Sequence, residues 1–596
     1  MRDAEVGRIL AASLHQGIAD PLPARLRDGA VSRDGRQTVR GFRSRAPRWG
    51  ERVSGSRRAR PRPPRAALLV CALVLGAGPA WAQTRGAAPT RFLVVPFENT
   101  GGEGRVHWLT EASAIILTDD LDALGVPAIG RDDRVRVLER LRVPAVAALS
   151  HATIIRLGQM AGAEDVVVGG YTLTDDTLTV RARTIRLDVG RMSEEIVESG
   201  PIADLFAIYA GLTRRIVAAP RVTLEEMERI HPPPAAFEQY VKGLLAEVPA
   251  TRISYLTHAR RLAPEYQPPA LALWRVHHDQ GEHAEALAAL RGVPDGDRLY
   301  RRARFLSSVS LMHLERYDEA FEALAALNQR EPDPALFNNM GVVQLRRDAS
   351  APGGRPISFF GDALRMDGAD SDLMFNLGYA YFLDRELSQA VSWLREAVRH
   401  TTTDGEAHYV LGAALLLSGS AVEGAREKDL ARRLSSDLAE FDAASAPGEV
   451  PPGLERVKTD IDIPASLRVE AAIVEAGQRD QRDLAALHLA NGRRLYATGR
   501  DGDALAELRR VVYLSPYDRE AHLLIGRLHL RGGRSSEAID ALKISIWSED
   551  TVAARLALAE AHIAARDAEA GRAELDRVLQ MDPGNGEAQR LLDGLP

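Results

Sequence analysis

Cysteine is almost absent from this 596-residue sequence, which contains Cys71 alone. An intramolecular disulfide is therefore impossible, and a metal site built from several thiolates cannot form. Lysine is also rare: only four of the 76 basic residues are lysines, and the others are arginines. Together with abundant alanine, this bias is typical of GC-rich coding. Hydrophobic residues make up 45% of the chain, an ordinary value, and the length predicts several structural units.

Catalytic signatures are missing as well. The sequence contains no H-E-x-x-H, no G-x-S-x-G and no kinase or cyclase motif. A zinc-like cluster is formed by His277, His278, Glu282 and His283, but His278 and Glu282 are one residue too far apart for H-x-x-E-H. The cluster also crosses a predicted turn between two helices, so we expect its side chains not to converge. We therefore predict no catalytic residue, no cofactor and no metal ion.

A glycine loop, Gly101–Gly104, follows a predicted strand and precedes a predicted helix, as in a phosphate cradle. However, it has neither the Lys-Ser/Thr of a Walker loop nor the G-x-G-x-x-G spacing. We interpret it as a flexible turn. The carboxylates of Glu98, Asp119 and Asp120 are likewise expected to be solvated charges rather than a catalytic pair.

The formal net charge of −6 is unevenly distributed. Residues 1–65 contain 16 arginines and 6 acidic residues, a local charge of +10, so the remaining chain carries −16. An acidic body argues against general nucleic-acid binding. Residues 1–65 are also rich in proline and glycine and have no apolar periodicity, which predicts a disordered basic leader.

A signal peptide is predicted at residues 66–82. A positive flank precedes an apolar run, Ala66–Ala77, and the small-residue pattern Ala80-Trp81-Ala82 follows. The alternative, a membrane anchor, would require a longer run. Cleavage between Ala82 and Gln83 predicts a periplasmic or envelope-associated protein. Because signal peptides begin near the amino terminus, residues 1–50 are either an overextended reading frame or a genuine leader.

Residues 90–220 alternate between strand and helix signals, which predicts a small α/β domain. RFLVVPFEN (Arg91–Asn99) is a short apolar run ended by turn residues, typical of a buried strand. The other expected elements are helices over about 106–124, 132–141, 150–160 and 201–217, a short strand over 126–130, and strands within VVVGGYTL, TLTVRARTIRL and RMSEEIVESG.

This order of elements resembles the TolB amino-terminal-like domain, which is related in pattern to the curli-secretion CsgG fold. The residues that carry the resemblance are Val94–Asn99, Gly130–Asp132, Leu157–Gly158, Gly162–Ala163, Val168–Gly169, Thr184–Asp188 and Gly190. The resemblance covers about 130 residues and implies an envelope-associated interaction module rather than a reaction.

The remaining chain repeats itself with a period of 34 residues. Gly492 and Gly526 are 34 residues apart, as are Ala504 and Ala538, and Pro516 closes the unit. Small residues at these points allow two short helices to cross closely, and proline ends the second helix. The pattern resembles tetratricopeptide repeats, and we count nine units, of which the first and sixth are imperfect. The predicted fold class is therefore α+β multidomain: a small α/β domain followed by an α-helical solenoid.

The solenoid is predicted as two stacks, 233–440 and 483–596. Residues 441–482 between them break the period and contain the linker-like sequence APGEVPPG. We expect this segment to form one helix and an extended piece. Either the solenoid splits here, or the segment bridges a nearly continuous superhelix, which is the arrangement we favour.

The resemblance also implies an inner groove, lined by fixed positions of the first helix of each unit. The expected lining residues are Phe305, Met312, Phe375, Tyr379, Phe382 and Tyr409, followed by the more basic set Arg493, Tyr496, Arg527 and Arg531. The alternatives are that the aromatic residues are inter-repeat core and the arginines plain solvated charges. Asn338, Asn339 and Asn376 are present, but without the partner lysines that complete a terminal-carboxylate clamp in this family.

These features predict an exported, non-catalytic scaffold that binds protein or peptide partners through the solenoid. One alternative is a ligand-sensing periplasmic regulator, in which the α/β domain binds a small molecule or a cell-wall fragment. The other is a hydrolase or nucleotide-binding enzyme that depends on Glu98 or the glycine loop. The sequence does not identify the partner or the oligomeric state.

Overall fold

The computed structural model describes residues 91–595 except 142, 144–148, 218–222, 224–226, 228, 348–352, 447 and 463–470, and it describes 471–480 as backbone only. The predicted leader (1–65) and the predicted signal peptide (66–82) lie outside these residues. All the described residues belong to one compact unit, Thr84–Pro596.

A six-stranded mixed sheet forms the centre of the amino-terminal domain. Its strands are β1 (Phe92–Val94), β2 (Glu98–Asn99), β3 (Asp165–Thr174), β4 (Thr177–Arg186), β5 (Arg191–Met192) and β6 (Ile196–Pro201). β1 and β2 pair in parallel with β3, β3 pairs antiparallel with β4, and β4 pairs antiparallel with β5 and β6. The strand expected over 91–99 is interrupted because Pro96 has no N–H to donate. The strand expected over 126–130 is a single bridge between Ala128 and Phe92.

Helices cover both faces of this sheet. They are α1 (Leu109–Ala123), α2 (Arg131–Arg140), α3 (His151–Ala161) and α4 (Leu205–Val217), with 3-10 turns at Gly104–Val106 and Ile202–Asp204. α1 and α4 share a core with Val94 and Val167, whereas α2 and α3 pack on Leu93 and Val166. Successive side chains of a strand point to opposite faces, so neighbouring residues of β1 and β3 belong to different cores.

From Pro234 onwards, all the described secondary structure is helical. The first helices are α5 (Pro234–Leu245), α6 (Pro249–Leu262), α7 (Pro268–Asp279), α8 (His283–Leu290), α9 (Tyr300–His313), α10 (Tyr317–Arg330), α11 (Pro334–Arg346), α12 (Pro356–Met366), α13 (Ser371–Leu383), α14 (Leu387–His400), α15 (Gly405–Leu417), α16 (Ala421–Leu434) and α17 (Ser436–Ala444). The later helices are α18 (Ala471–Ala497), α19 (Asp501–Leu514), α20 (Arg519–Arg531), α21 (Ser535–Ser548), α22 (Val552–Ala564), α23 (Ala568–Met581) and α24 (Gly586–Asp593).

Consecutive helices pack as hairpins, from α5 with α6 to α15 with α16, and from α18 with α19 to α22 with α23. Small residues lie where the two helices of a hairpin cross. A Cβ atom on Gly378 would lie 2.8 Å from Leu394 Cγ, and one on Gly412 would lie 2.9 Å from the carbonyl oxygen of Gly424. The helical solenoid expected from the 34-residue period is therefore confirmed, and a small sheet region precedes it.

The carboxyl-terminal hairpins contact the beginning of the solenoid and the α/β domain. Glu247, which follows α5, accepts hydrogen bonds from Ser515 Oγ (2.6 Å) and from the backbone N–H of Tyr517 (3.0 Å). The Tyr255 hydroxyl of α6 donates to the carbonyl oxygen of Trp547 (3.0 Å). The ring of Tyr517 is itself part of the core beneath α1 and α4. No described helix is both long enough and apolar enough to cross a membrane.

The environment of Asp120, in α1, differs from the solvated one predicted from the sequence. Its side chain is fully buried, and it accepts hydrogen bonds from Thr213 Oγ1 (3.1 Å) and pairs with His231 Nε2 at 2.7 Å. Burial raises the pKa of Asp120, and the bonds from His231 and Thr213 oppose that rise. The expectation of a solvated charge is therefore wrong, because this carboxylate joins α1 to the hinge before the solenoid.

Candidate functional site

The six apolar residues expected to line the groove are buried. Phe305 and Met312 lie on α9, Phe375, Tyr379 and Phe382 on α13, and Tyr409 on α15, and each is at most 4% exposed. Their burial has two sources: packing between repeats, and coverage by a distant part of the same chain.

That covering part is an extended stretch, residues 448–462, which we call the groove segment. It has no helix or strand. Its apolar side chains Val450 and Leu454 pack with the α13 and α15 core, whereas Val457 and Ile461 pack with the α9 and α11 core. The segment therefore crosses the first helices of several successive repeats, as a bound peptide would.

Two asparagine side chains hold the backbone of the groove segment. Asn376 Oδ1 accepts from the N–H of Arg456 (2.7 Å), and Asn376 Nδ2 donates to the carbonyl oxygen of the same residue (2.8 Å). Asn339 makes the same two bonds with Lys458, both 2.8 Å long. Asn338 Nδ2 adds a second bond to the Arg456 carbonyl, also 2.8 Å. Extended chains present backbone groups to one side at every second residue, which matches this spacing.

The side chains of these two residues enter an acidic zone of α13 and α15. The Arg456 guanidinium lies 2.9 Å from Asp372 and 2.5 Å from Asp404. It also lies 4.0 Å from the centre of the Phe375 ring, a cation–π contact. Lys458 Nζ lies 2.6 Å from Asp372 and 2.9 Å from Asp370. The acidic zone therefore holds two basic side chains of the groove segment that are two positions apart.

The ionised side chains of this acidic zone and of the groove segment shift one another's pKa values. Burial raises the pKa of Asp372, but Lys458 and Arg456 outweigh it and hold that pKa at about 2. Burial disfavours the charged form of Lys458, yet Asp372 and Asp370 raise the pKa of its ammonium group. Each ion thus depends on its partner to remain charged out of water.

Other predicted lining residues contact the flanks of this region. Tyr379 donates through its hydroxyl to the carbonyl oxygen of Pro451 (3.5 Å). Tyr409 donates to Asp442 of α17 (2.9 Å), and Lys428 lies 4.3 Å from the Tyr409 ring centre. Six predicted residues therefore lie at or beneath one covered groove.

The predicted basic zone lies elsewhere, on α18 and α20, and its charges are paired locally. Arg493 forms an ion pair with Glu520. Arg531 pairs with Asp501 at 2.6 Å and lies 4.4 Å from the Tyr496 ring centre. Arg527 lies on the same helix, α20. The described contacts of the groove segment do not include these four residues.

Sequence reasoning missed the groove segment and its acidic pocket. The three asparagines are visible in the sequence, but nothing in it indicates that two of them bond the backbone of Arg456 and Lys458. Lys458 reaches Asn339 across 119 positions of the chain. The only available signal was the alternation of Arg456, Val457 and Lys458 inside a segment predicted to be partly extended.

The histidine cluster also differs from expectation. His277 pairs with Glu282 at 2.7 Å, but His278 and His283 do converge, and His313 joins them. One ring nitrogen from each of these three residues lies within 4.8 Å of the others. The prediction of no convergence is wrong for this pair because the turn between α7 and α8 brings both rings to the end of α9.

A cavity of about 420 Å³ lies between the α/β domain and the first repeats. Its lining includes Tyr240, Tyr266 and Arg252, and Arg252 Nε is buried with no hydrogen-bond partner among the described residues. Burial lowers the pKa of Arg252, as do the nearby charges of Arg131 and Arg275, whereas Asp279 raises it. The cavity has the size of a small-ligand site.

Comparison with known proteins identifies tetratricopeptide repeats in this chain. The family model described as Tetratricopeptide repeat matches residues 271–334, 359–404 and 489–550. No curated protein matches the sequence. The chain therefore contains tetratricopeptide repeats, a fold whose members bind protein or peptide partners.

Several solved structures are similar to parts of the chain. YrrB, described as a TPR protein with an unusual peptide-binding site, is 17% identical and covers 32% of this chain and 98% of its own, with a TM-score of 0.25. PilF of Pseudomonas aeruginosa is 20% identical and covers 33% and 90%, with a TM-score of 0.28. A tetratricopeptide repeat protein of Parabacteroides merdae is 15% identical and covers 49% and 98%, with a TM-score of 0.21.

Proposed function

We propose that this chain is a non-catalytic scaffold whose central repeats bind an extended segment of a partner protein. The observation that carries the proposal is the pair of amides, Asn339 and Asn376, each bonded to both backbone groups of one extended residue. Backbone recognition tolerates many sequences, and the neighbouring carboxylates select basic side chains. The partner segment therefore presents two basic residues separated by one apolar residue.

In this proposal the groove segment takes the place of the partner until a partner displaces it. An intramolecular ligand has a high effective concentration, so it competes strongly with any external segment. Substitutions that weaken the binding of the groove segment should therefore raise the affinity of the groove for a separate peptide with the same sequence.

The test uses the full chain and a fluorescently labelled peptide with the sequence of residues 448–462. In the double variant Arg456→Ala/Lys458→Ala, the groove segment loses its ion pairs with Asp370, Asp372 and Asp404. Fluorescence anisotropy should then show the peptide binding at least about tenfold more tightly than it binds the unaltered chain, because breaking such pairs costs more than about 1.4 kcal/mol.

Adding Asn376→Ala to the double variant should remove this gain, because the peptide loses both backbone bonds. Asn491→Ala, on α18, is the matched control and should leave the gain intact, because the described bonds of its side chain are with Arg494 and Glu507, outside the groove segment. If the double variant keeps its circular dichroism spectrum but gains no affinity for the peptide, the groove does not accept an external segment.

We also propose that the scaffold works in the periplasm or at the cell envelope. The predicted signal peptide at 66–82 and the resemblance of 90–220 to a TolB amino-terminal-like domain support this location. The charge of −16 outside residues 1–65 favours protein partners over nucleic acid. Amino-terminal sequencing of the protein recovered from a periplasmic fraction should begin at Gln83. An uncut chain confined to the cytosol would contradict the proposal.

A second candidate function is small-ligand sensing by the α/β domain and the first repeats. It is favoured by the cavity of about 420 Å³ and by the unpartnered Arg252 Nε within it. In a thermal-shift screen, a small carboxylate or inorganic phosphate should raise the melting temperature of the chain. Arg252→Met should abolish that rise. No shift from any of these anions would remove this candidate.

A further inference from the structure

Three histidines from three helices meet at one end of the first repeats. His278 lies near the end of α7, His283 begins α8, and His313 ends α9. The ring centres of His283 and His313 lie 4.1 Å apart, and that of His278 lies 5.3 and 5.4 Å from them. One nitrogen from each ring lies within 4.8 Å of the other two.

Two of these rings have unused nitrogens. Nδ1 of His278 and Nδ1 of His283 are buried and have no hydrogen-bond partner among the described residues. Three other repeat histidines are bonded: His408 pairs with Glu427, His488 pairs with Glu507, and His522 bonds the carbonyl oxygen of Pro516. Nδ1 of His562 is also unbonded among the described residues, but it lies 3.6 Å from Asp567 and has no second histidine in its described contacts. Leaving buried polar atoms unpaired is costly, which makes a missing ligand the simplest account of the cluster.

Burial disfavours the protonated form of two of these rings. Burial lowers the pKa of His278, the nearby His313, His283 and Arg275 act in the same direction, and together they bring it to about 4. His313 is more exposed than the other two, and partial burial together with His283 and Arg346 brings its pKa to about 4.

We propose that His278, His283 and His313 form a binding site for a divalent transition-metal ion of the zinc, nickel or copper type. Three imidazoles with no carboxylate among them suit these metals and do not suit calcium or magnesium, which require oxygen ligands. Metal–nitrogen bonds of about 2.0–2.1 Å place tetrahedral ligand nitrogens about 3.4 Å apart. The three candidate nitrogens lie within 4.8 Å of one another, so they must approach one another to reach that value.

Such a site would join two neighbouring repeats. His278 and His283 belong to the hairpin of α7 and α8, whereas His313 belongs to α9 of the next hairpin. A bound ion would connect these hairpins and would leave one coordination position for water or for a ligand from another protein. Metal binding should therefore raise the melting temperature of the chain.

Trp274 provides a direct reporter of this site. Its indole stacks on the His278 ring, with centres 4.6 Å apart and planes 14° apart. Copper and nickel ions quench indole fluorescence at short range. Titration of the metal-free full chain, prepared without a histidine tag, with Cu²⁺ or Ni²⁺ should therefore quench fluorescence with a stoichiometry of about one ion per chain. Calorimetry with Zn²⁺ should give the same stoichiometry.

His283→Gln and His313→Gln should each weaken binding by at least about tenfold, because each removes one of three ligands. His400→Gln is the matched control, since His400 is an exposed histidine at the end of α14, and it should change nothing. Unaltered affinity in the double variant His283→Gln/His313→Gln would show that the ion binds elsewhere and would overturn the proposal. Equal losses in His400→Gln would do the same.

Discussion

Buried asparagine side chains explain why the groove is filled. Asn338, Asn339 and Asn376 are fully buried, and each amide carries both a donor and an acceptor. A buried amide without partners costs about 1–3 kcal/mol. An extended backbone satisfies donor and acceptor together, as a neighbouring strand would. The groove is therefore built to hold an extended backbone, which in this structure is that of the groove segment.

The acidic pocket should make groove-segment binding pH-dependent through Asp372. Its folded pKa of about 2 lies below the ordinary value of 3.8, because Lys458 and Arg456 outweigh the effect of burial. A depressed pKa stabilises the fold above pH 3.8, and this stabilisation is lost as pH falls through 2. Asp372→Asn should therefore lower the free energy of unfolding by about 2 kcal/mol at pH 7 and by much less near pH 2.

Urea denaturation of both chains at pH 7 and at pH 2 would measure this difference. Asp576→Asn, an exposed position within α23, is the control and should give no pH-dependent difference. A cost for Asp372→Asn that does not shrink as pH falls would show that the side chain acts through shape rather than charge.

At the residue scale, the sequence predicted which side chains share a helix face better than it predicted which residues those side chains contact. The aromatic positions on α9, α13 and α15 followed from the repeat, because helical spacing fixes which residues share a face. The partners of Asn376 did not follow, because Arg456 is 80 positions away and belongs to a segment with no repeat pattern. The fully buried Asp120 was missed for the same reason, since its partner His231 is 111 positions away.

At the scale of elements, the 34-residue period was readable because it records a steric contact. Gly412 meets Gly424 and Lys428 of the facing helix so closely that a side chain does not fit. The interruption of the period was readable too, but its conformation was not. Extended chain that takes its hydrogen bonds from side chains leaves no periodic pattern in its own sequence.

Two glycine substitutions should separate packing from helix propensity. Gly412→Ala places a Cβ atom 2.9 Å from the backbone carbonyl oxygen of Gly424, so the helices of the hairpin must move apart. Overpacking of this kind costs about 1–3 kcal/mol. Gly502→Ala, in α19, meets nothing within 4 Å and should stabilise by about 0.5–1 kcal/mol. Chemical denaturation would measure the change in the free energy of unfolding for each variant. Stabilisation by Gly412→Ala would refute the steric account.

At the scale of the whole described chain, the ends of the solenoid share a core with the α/β domain. Phe237 and Val241 of α5 and Tyr517 before α20 pack with residues of α1 and α4. The Arg302 guanidinium of α9 lies 2.6 Å from Asp132, and Arg136 of α2 lies 2.8 Å from Asp460 of the groove segment. The α/β domain, the groove segment and both stacks are thus connected by direct contacts.

Tyr517 should therefore couple the last repeats to the α/β domain. Its ring is 3% exposed and contacts the rings of His107 and Trp547, but its hydroxyl has no hydrogen-bond partner among the described residues. Tyr517→Phe should be neutral or stabilise by up to about 1 kcal/mol, because it removes a buried, unpaired polar group. Tyr517→Ala should cost about 3–5 kcal/mol, as truncation of a buried aromatic ring does.

The decisive measurement is hydrogen–deuterium exchange, because it locates where protection is lost. In Tyr517→Ala, exchange should rise together in the 3-10 turn Gly104–Val106 and in α21. These two elements are in contact, because a Cβ atom on Gly104 would lie 3.1 Å from the carbonyl oxygen of Asp540. Exchange should not change in α13, which holds the groove segment. Since Tyr517→Phe keeps the ring, it should leave all three regions protected. Faster exchange confined to α20 and α21 would show that the last repeats open independently. The shared core would then not couple their unfolding to that of the α/β domain.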